Sequence, residues 1–155
     1  MSRSVFYGTP NLVCVCVDRH ANGDMSGRMY HFYRRDALPF QSAGDLVMKM
    51  DHFYDALNFP QAAVVTRGFR TKTVNRIDRN RDKCQGAEEM EQHKGDIATF
   101  VVHVQYRQNA TWQGKVVWTD ENRECNFRSA LELIKLMDNA MDTAETQKIA
   151  EPAQD

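Results

Sequence analysis

The chain contains an internal repeat. Residues 12–51, moved forward by 87 positions, align without a gap with residues 99–138. Ten of the 40 aligned positions hold the same residue, whereas ordinary composition gives only about two or three matches at roughly 6% per position. The identical pairs are Val15/Val102, Val17/Val104, Asn22/Asn109, Gly27/Gly114, Phe40/Phe127, Ser42/Ser129, Ala43/Ala130, Leu46/Leu133, Met50/Met137 and Asp51/Asp138. Two pieces of this size rarely bury a core separately, so we expect them to pack together.

Each copy has the pattern of a strand, a loop, a second strand, a short connection and a helix. In the first copy, residues 12–18 alternate valine with cysteine, as a half-buried strand does. A turn containing Asn22 and Gly23 follows, and residues 27–34 are the predicted return strand. The predicted strands of the second copy are 100–106, 112–119 and a short third strand at 124–127.

The two helix starts carry the clearest local signals. Ser42 and Ser129 are each followed three residues later by an acid, Asp45 and Glu132, which is the pattern of a capping box. Apolar residues at helical spacing follow each serine, and such stripes are typical of core. The predicted core positions are Leu46, Val47, Met50, Phe53, Tyr54 and Leu57 in the first helix, and Leu133, Ile134, Met137 and Met141 in the second.

These elements predict a single α+β domain over residues 1–141, built from two tandem ββ(β)α units at 12–57 and 99–141. We expect an antiparallel sheet with both helices on one face and an approximate two-fold axis between the units. Between the units, residues 71–95 have no apolar period and are predicted to be an exposed polar linker. Residues 61–70 are predicted to form a further strand, and residues 142–155 a disordered tail.

Two helices can cover only one face of the sheet. The opposite face carries Cys14, Cys16, Val101 and His103, and a face of this character is rarely left fully in water. We therefore expect either the connecting segment or a partner to cover it.

Composition excludes several classes of protein. The 20 Lys and Arg residues nearly balance the 21 Asp and Glu residues, so net charge favours neither nucleic acid nor a membrane surface. The first apolar run, residues 12–17, is too short for a signal peptide, and no run is long enough to span a membrane. The four cysteines lack the spacing of a disulfide scaffold, which predicts reduced thiols and a cytoplasmic location.

The second unit resembles a group of small bacterial proteins. These proteins share a Trp-Gln-Gly hairpin, here Trp112 to Gly114, and a Phe-Arg-Ser-x-x-Glu-Leu helix start, here Phe127 to Leu133. The resemblance covers about a third of the chain and implies a bacterial, cytosolic origin. No activity is established for the group, so it implies no functional residues.

A basic segment at residues 66–83 supplies one candidate binding site. Its cations, interleaved with Phe69 and two asparagines, have the composition of a segment that binds a phosphate backbone, and they could equally bind an acidic protein. A solvated loop, partly neutralised by the glutamates that follow, is the third possibility. The candidate residues are Arg67, Arg70, Lys72, Arg76, Arg79, Arg81 and Lys83.

No enzymatic or metal-binding motif is present. The cysteines at 14 and 16 lack C-x2–4-C spacing, so we interpret them as small buried hydrophobes. No phosphate loop, nucleophile elbow or H-E-x-x-H motif occurs. His20, His52 and His93 are predicted to be solvent-exposed, and the aspartates of the helices to serve as caps and polar surface. We expect no cofactor.

The function predicted from the sequence is therefore a non-enzymatic interaction or regulatory module. A protein partner is expected to bind the uncovered sheet face and the hairpin tips, and a homodimer is compatible with the same surfaces. The alternative is nucleic-acid binding through the basic segment. The candidate partner-binding residues are Trp112, Trp118, His103 and His31; for the two tryptophans, a place in the core is the competing prediction.

Overall fold

The computed structural model describes residues 9–62, 68–69, 75–108 and 111–150. Six strands form one antiparallel sheet in the order β3-β2-β1-β4-β5-β6, accompanied by three helices. The predicted α+β class is confirmed. The strands are β1 Val13–Ala21, β2 Asp24–His31, β3 Arg34–Phe40, β4 Ala98–Tyr106, β5 Gln113–Trp118 and β6 Arg123–Phe127; the helices are α1 Ala43–Leu57, α2 Ala87–Glu91 and α3 Ala130–Ala150.

The strand registers follow the spacing of the sequence repeat. At the centre of the sheet, Cys14 of β1 lies opposite Val101 of β4, the residue 87 positions later. Val15 pairs with Met29 in the β1–β2 ladder, and adding 87 to both numbers gives the Val102–Val116 pair of the β4–β5 ladder. Each ladder also shifts register at the same place, after Val17 in β1 and after Val104 in β4.

The helix starts agree with the predicted capping boxes. The Ser42 hydroxyl accepts a hydrogen bond of 3.0 Å from the backbone N–H of Asp45, and Ser129 does the same for Glu132, also at 3.0 Å. These bonds satisfy backbone donors that have no partner within the helix. The Ser42 and Ser129 caps are therefore confirmed as helix starts.

The main core is one cluster of buried side chains from the sheet and from the helices α1 and α3. Val13, Val15 and Val17 of β1 belong to this cluster, and we call the sheet face that carries them the first face. The predicted stripe positions Leu46, Met50, Phe53, Tyr54, Leu57, Leu133, Met137 and Met141 are all buried in this cluster. Removing this much apolar surface from water is the main stabilising contribution to the fold.

Three elements differ from the sequence-based prediction. A third strand, β3, forms in the first half where only a short connection was expected, and the helix α3 continues past residue 142 to Ala150. The helix α2 and two buried residues, Gln85 and Met90, lie inside the segment predicted to be an exposed linker. Most of the strand predicted at 61–70 lies outside the described residues. Within the described residues, no helix has the length and apolar character needed to cross a membrane.

Candidate functional site

The side of the sheet opposite the first face, which we call the second face, carries a smaller apolar cluster under α2. Cys14, Cys16 and Met90 each have no exposed surface in this cluster. The connecting segment therefore covers part of the face, which is one of the two possibilities expected from the sequence. The cluster comprises Leu12, Cys14, Cys16, Tyr30, Phe32, Met90 and Val101, so it lies mainly on β1 and β2.

Polar contacts fix the covering segment, residues 84–93, which we call the strap. The Gln85 side-chain amide donates hydrogen bonds to the carbonyl oxygens of His31 at 2.8 Å and Arg34 at 2.6 Å. The His93 ring stacks on Tyr30 with 3.6 Å between ring centroids. Since the glutamine is buried, these bonds make its position specific as well as stable.

Removing the apolar anchor of the strap should expose the buried thiols. We expect Met90→Ala to destabilise the protein by about 2–4 kcal/mol, because it leaves a cavity under α2. Native-state labelling with a thiol reagent, followed by peptide mass spectrometry, should then modify Cys14 and Cys16 at least tenfold faster. Met48→Ala, at a side chain that is 61% exposed, is the matched control and should leave both rates unchanged. Equal rates in Met90→Ala and the parent would show that the strap does not protect the thiols.

The two buried thiols form a contact pair. Their Sγ atoms lie 3.9 Å apart, and the hydrogen bond to Cys16 together with burial raises the pKa of Cys14 well above its usual range. A thiol held protonated and under the strap is a poor nucleophile. Among the described residues, no third histidine, cysteine or carboxylate completes a metal-ligating group with them. The same hydrogen bond lowers the pKa of Cys16, so Cys14 is the thiol that is held protonated. Both side chains are fully buried, as interpreted from the sequence.

Both candidate tryptophans lie against the main core. Trp112 is 7% exposed and meets the Tyr54 ring edge-on, with 5.4 Å between centroids. Trp118 is half-buried and stacks on Phe100 at 6.5 Å. Both indoles belong to the first face, so the structure favours the core alternative over a surface contact.

His31, a third candidate, is also a core residue. Its ring is parallel to Phe53 at 3.8 Å, and its Nδ1 atom accepts a 3.1 Å hydrogen bond from the backbone N–H of Tyr33. Burial, together with the charge of Arg34, lowers the pKa of His31 to about 4. The imidazole is therefore neutral at pH 7 and packed inside the protein, out of reach of a partner.

His103, the fourth candidate, lies on the part of the second face that the strap leaves open. We call this part, made by β4, β5 and β6, the open face. His103 pairs with Lys115 across the β4–β5 ladder, and Lys115 lies 3.7 Å from the carboxylate of Glu124. Burial and the Lys115 charge lower the pKa of His103, which keeps the ring neutral at pH 7. The open face comprises His103, Lys115, Glu124 and Asn126, with Gln105 at the register shift between Val104 and Tyr106 and with Val117 at the border of the strap cluster.

The described cations of the basic segment are tied to the protein itself. Arg76 donates to the carbonyl oxygen of Asp55 at 2.9 Å, and Arg81 pairs with Asp82 at 3.0 Å. Arg79 lies over the Phe59 ring at 5.1 Å and Lys83 over the Phe32 ring at 5.3 Å. The remaining candidates, Arg67, Arg70 and Lys72, lie outside the described residues.

A charged cluster that the sequence analysis missed joins β1 to α3. The side chain of His20, predicted to be exposed, is only 4% exposed, and its Nε2 atom lies 2.7 Å from Oδ1 of Asp138. The prediction was wrong because β1 runs on to Ala21 and carries His20 onto the helix. Asp142, one turn further along α3, lies 3.9 Å from the same nitrogen.

The other half of the protein holds an equivalent cluster. Arg107 follows β4, is 6% exposed and lies 2.7 Å from Asp55 and 3.5 Å from Asp51 on α1. The offset of 87 positions relates Arg107 to His20, Asp55 to Asp142 and Asp51 to Asp138. The repeat alignment, extended four residues beyond Asp51, would have found both clusters.

Comparison of the chain with protein-family models, curated proteins and solved structures finds no significant match. The bacterial origin and the cytoplasmic location therefore remain predictions from the sequence.

Proposed function

We propose that this protein is a non-enzymatic interaction module that binds a protein partner through the open face. The observation that carries the proposal is the uneven cover of the second face. The strap buries the cluster on the β1–β2 side, whereas on the β4–β6 side His103 and Lys115 are only half-buried and Glu124 is exposed. Because Trp112 and His31 are buried, the proposal does not depend on them.

The chemistry of the open face suits a polar protein surface. A neutral, half-buried His103 can donate and accept hydrogen bonds, and the Lys115–Glu124 pair offers both charges. Gln105 is exposed beside them and adds an amide. Such a mixed polar patch on a rigid sheet favours specificity and requires little ordering on binding.

Photo-crosslinking followed by reconstitution tests this proposal. A photoreactive residue at Gln105 should capture a protein partner, whereas the same residue at Met48 on α1 should not. With the purified partner, Lys115→Glu should weaken binding at least tenfold in a calorimetric titration. The matched charge reversal on α3, Lys135→Glu, should change the Kd less than twofold. Equal affinities for the two variants would exclude the open face as the binding surface.

Nucleic-acid binding through the basic segment is the alternative proposal. We rank it second because the four described cations already contact carbonyl, carboxylate or aromatic groups of the protein. A photoreactive residue at Arg79 distinguishes the alternatives in the same experiment. Nucleic acid captured at this position, with nothing captured at Gln105, would favour the alternative.

We also propose that the chain is a tandem duplication of a ββ(β)α unit with an approximate two-fold axis between β1 and β4. The 87-residue offset supports this proposal because it relates strand registers, helix caps and charged clusters as well as residue identities. The pairing of Cys14 with Val101 supports an axis at this point, since each residue is the counterpart of the other in the repeat.

A further inference from the structure

The His20 cluster brings three potential metal ligands together. The Nε2 atom of His20 and one carboxylate oxygen each from Asp138 and Asp142 all lie within 4.8 Å of one another. The aspartates are one turn apart on α3 and project from the same side of the helix. The histidine comes from β1, so two regular elements hold the three groups.

The equivalent cluster shows that a positive charge can be accommodated at this location. In it, the permanently charged guanidinium of Arg107 lies between the carboxylates of Asp51 and Asp55. His20 stands in the place of that arginine. An imidazole has no permanent charge, but its nitrogen can bind a metal ion, which an arginine does not.

We propose that His20, Asp138 and Asp142 bind a divalent transition-metal ion such as Zn²⁺. One imidazole nitrogen with two carboxylate oxygens is a ligand set that zinc accepts. The inference is independent of the open face and goes beyond the proposed interaction.

The distances are compatible with this role. Two ligands of one zinc ion, each about 2.0–2.2 Å from the metal, lie roughly 3.0–3.5 Å apart. The Nε2 atom of His20 is 2.7 Å from Asp138 and 3.9 Å from Asp142, so small side-chain rotations bring all three to bonding distance. The Asp142 side chain is 61% exposed, which gives the ion a path from solvent and room for water as a further ligand.

Zinc titration of the full chain tests the proposal. Cys84→Ser and Cys125→Ser are introduced first, because these two thiols are the least buried and would bind zinc themselves. We expect this parent to bind one equivalent of Zn²⁺ by calorimetry, and its Tm to rise by about 5–10 °C when free zinc is a hundred times the Kd.

Three variants separate metal binding from folding. His20→Arg copies the arrangement at Arg107, so it should fold yet bind Zn²⁺ at least tenfold more weakly and show no zinc-dependent rise in Tm. Asp142→Asn should also weaken binding at least tenfold. His52→Ala, at an exposed histidine of α1, is the control and should bind like the parent.

Either of two results would overturn the proposal. One is the absence of stoichiometric Zn²⁺ binding by the parent; the other is an unchanged zinc affinity in folded His20→Arg. In both cases His20, Asp138 and Asp142 would form an ion-pair cluster that binds no metal. Neither result bears on partner binding at Lys115, so the two proposals fail separately.

Discussion

Gly27→Ala is expected to destabilise the protein by about 3 kcal/mol or more, because β2 approaches β1 too closely at this position for a side chain. A Cβ atom on Gly27 would overlap the backbone carbonyl oxygen of Cys16. A carbonyl in the middle of the sheet cannot move without breaking its ladder, so neither strand can relax easily. Urea unfolding of the variant and the parent gives the difference in free energy of unfolding.

Gly114→Ala in the second half of the chain repeats this experiment, and Gly44→Ala in α1 is its control. Gly114, 87 residues later, would overlap the carbonyl oxygen of His103 in the same way, so Gly114→Ala should cost a similar amount. At Gly44, in the first turn of α1, a Cβ atom meets only the Ser42 hydroxyl oxygen, at 3.9 Å. Gly44→Ala should therefore be neutral or stabilise by up to about 1 kcal/mol. A loss below 0.5 kcal/mol in both strand variants, about the scatter expected of surface substitutions, would disprove the close-approach explanation.

Lowering the pH from 7.5 to 5 is expected to reduce the free energy of unfolding by about 2 kcal/mol through His31 alone. Burial lowers the pKa of His31 from 6.5 in the unfolded chain to about 4 in the folded protein. Below pH 6.5 the unfolded chain therefore binds a proton that the folded protein excludes, and stability falls until about pH 4. Protonation of Nδ1 would also break the hydrogen bond that this atom accepts from the Tyr33 N–H, so this bond too favours the neutral ring in the folded protein.

His31→Phe isolates this contribution. The phenyl ring can still stack on Phe53, but it has no proton to gain, so the pH dependence between 7.5 and 5 should shrink by about 2 kcal/mol. His93 and His103 also have lowered pKa values and titrate in both proteins, so the difference between the two profiles is the result to measure. Parallel profiles would show that His31 is protonated as readily in the folded protein as in the unfolded chain.

Features set by neighbouring residues were predictable from the sequence. The serine caps of α1 and α3 depend on residues three positions apart, and the core stripes on one helical period. The alternation of valine with cysteine in β1 likewise assigned the two faces correctly. These patterns were sufficient for the α+β class.

Features set by contacts between distant residues were not predictable from the sequence. In β3, Arg34, Asp36 and Pro39 give no alternating pattern, because an edge strand is defined by its neighbour and not by burial on either side. The strap has a single fully buried apolar anchor, Met90, and a glutamine whose bonds reach back to residues 31 and 34. No local period signals such an arrangement.

The residues of the candidate site divide in the same way, into those placed by a local pattern and those placed by contacts with distant residues. His103 was predicted to lie on the second face from strand alternation, and the structure places it there. The core position of Trp112 depends on its packing against Tyr54 of α1, which the sequence of the hairpin does not contain.

The central β1–β4 pairing has a consequence for folding kinetics. It joins residues 81 to 89 positions apart (Val17 with Ala98 and Val13 with Val102), whereas the most distant β1–β2 pair, Cys14 with Tyr30, spans 16. Closing short loops costs less entropy, so the hairpins of each half can form before the halves dock. Until docking, β1 and β4 present unpaired apolar edges. In that interval the chain is most liable to exchange strands with a second copy of itself.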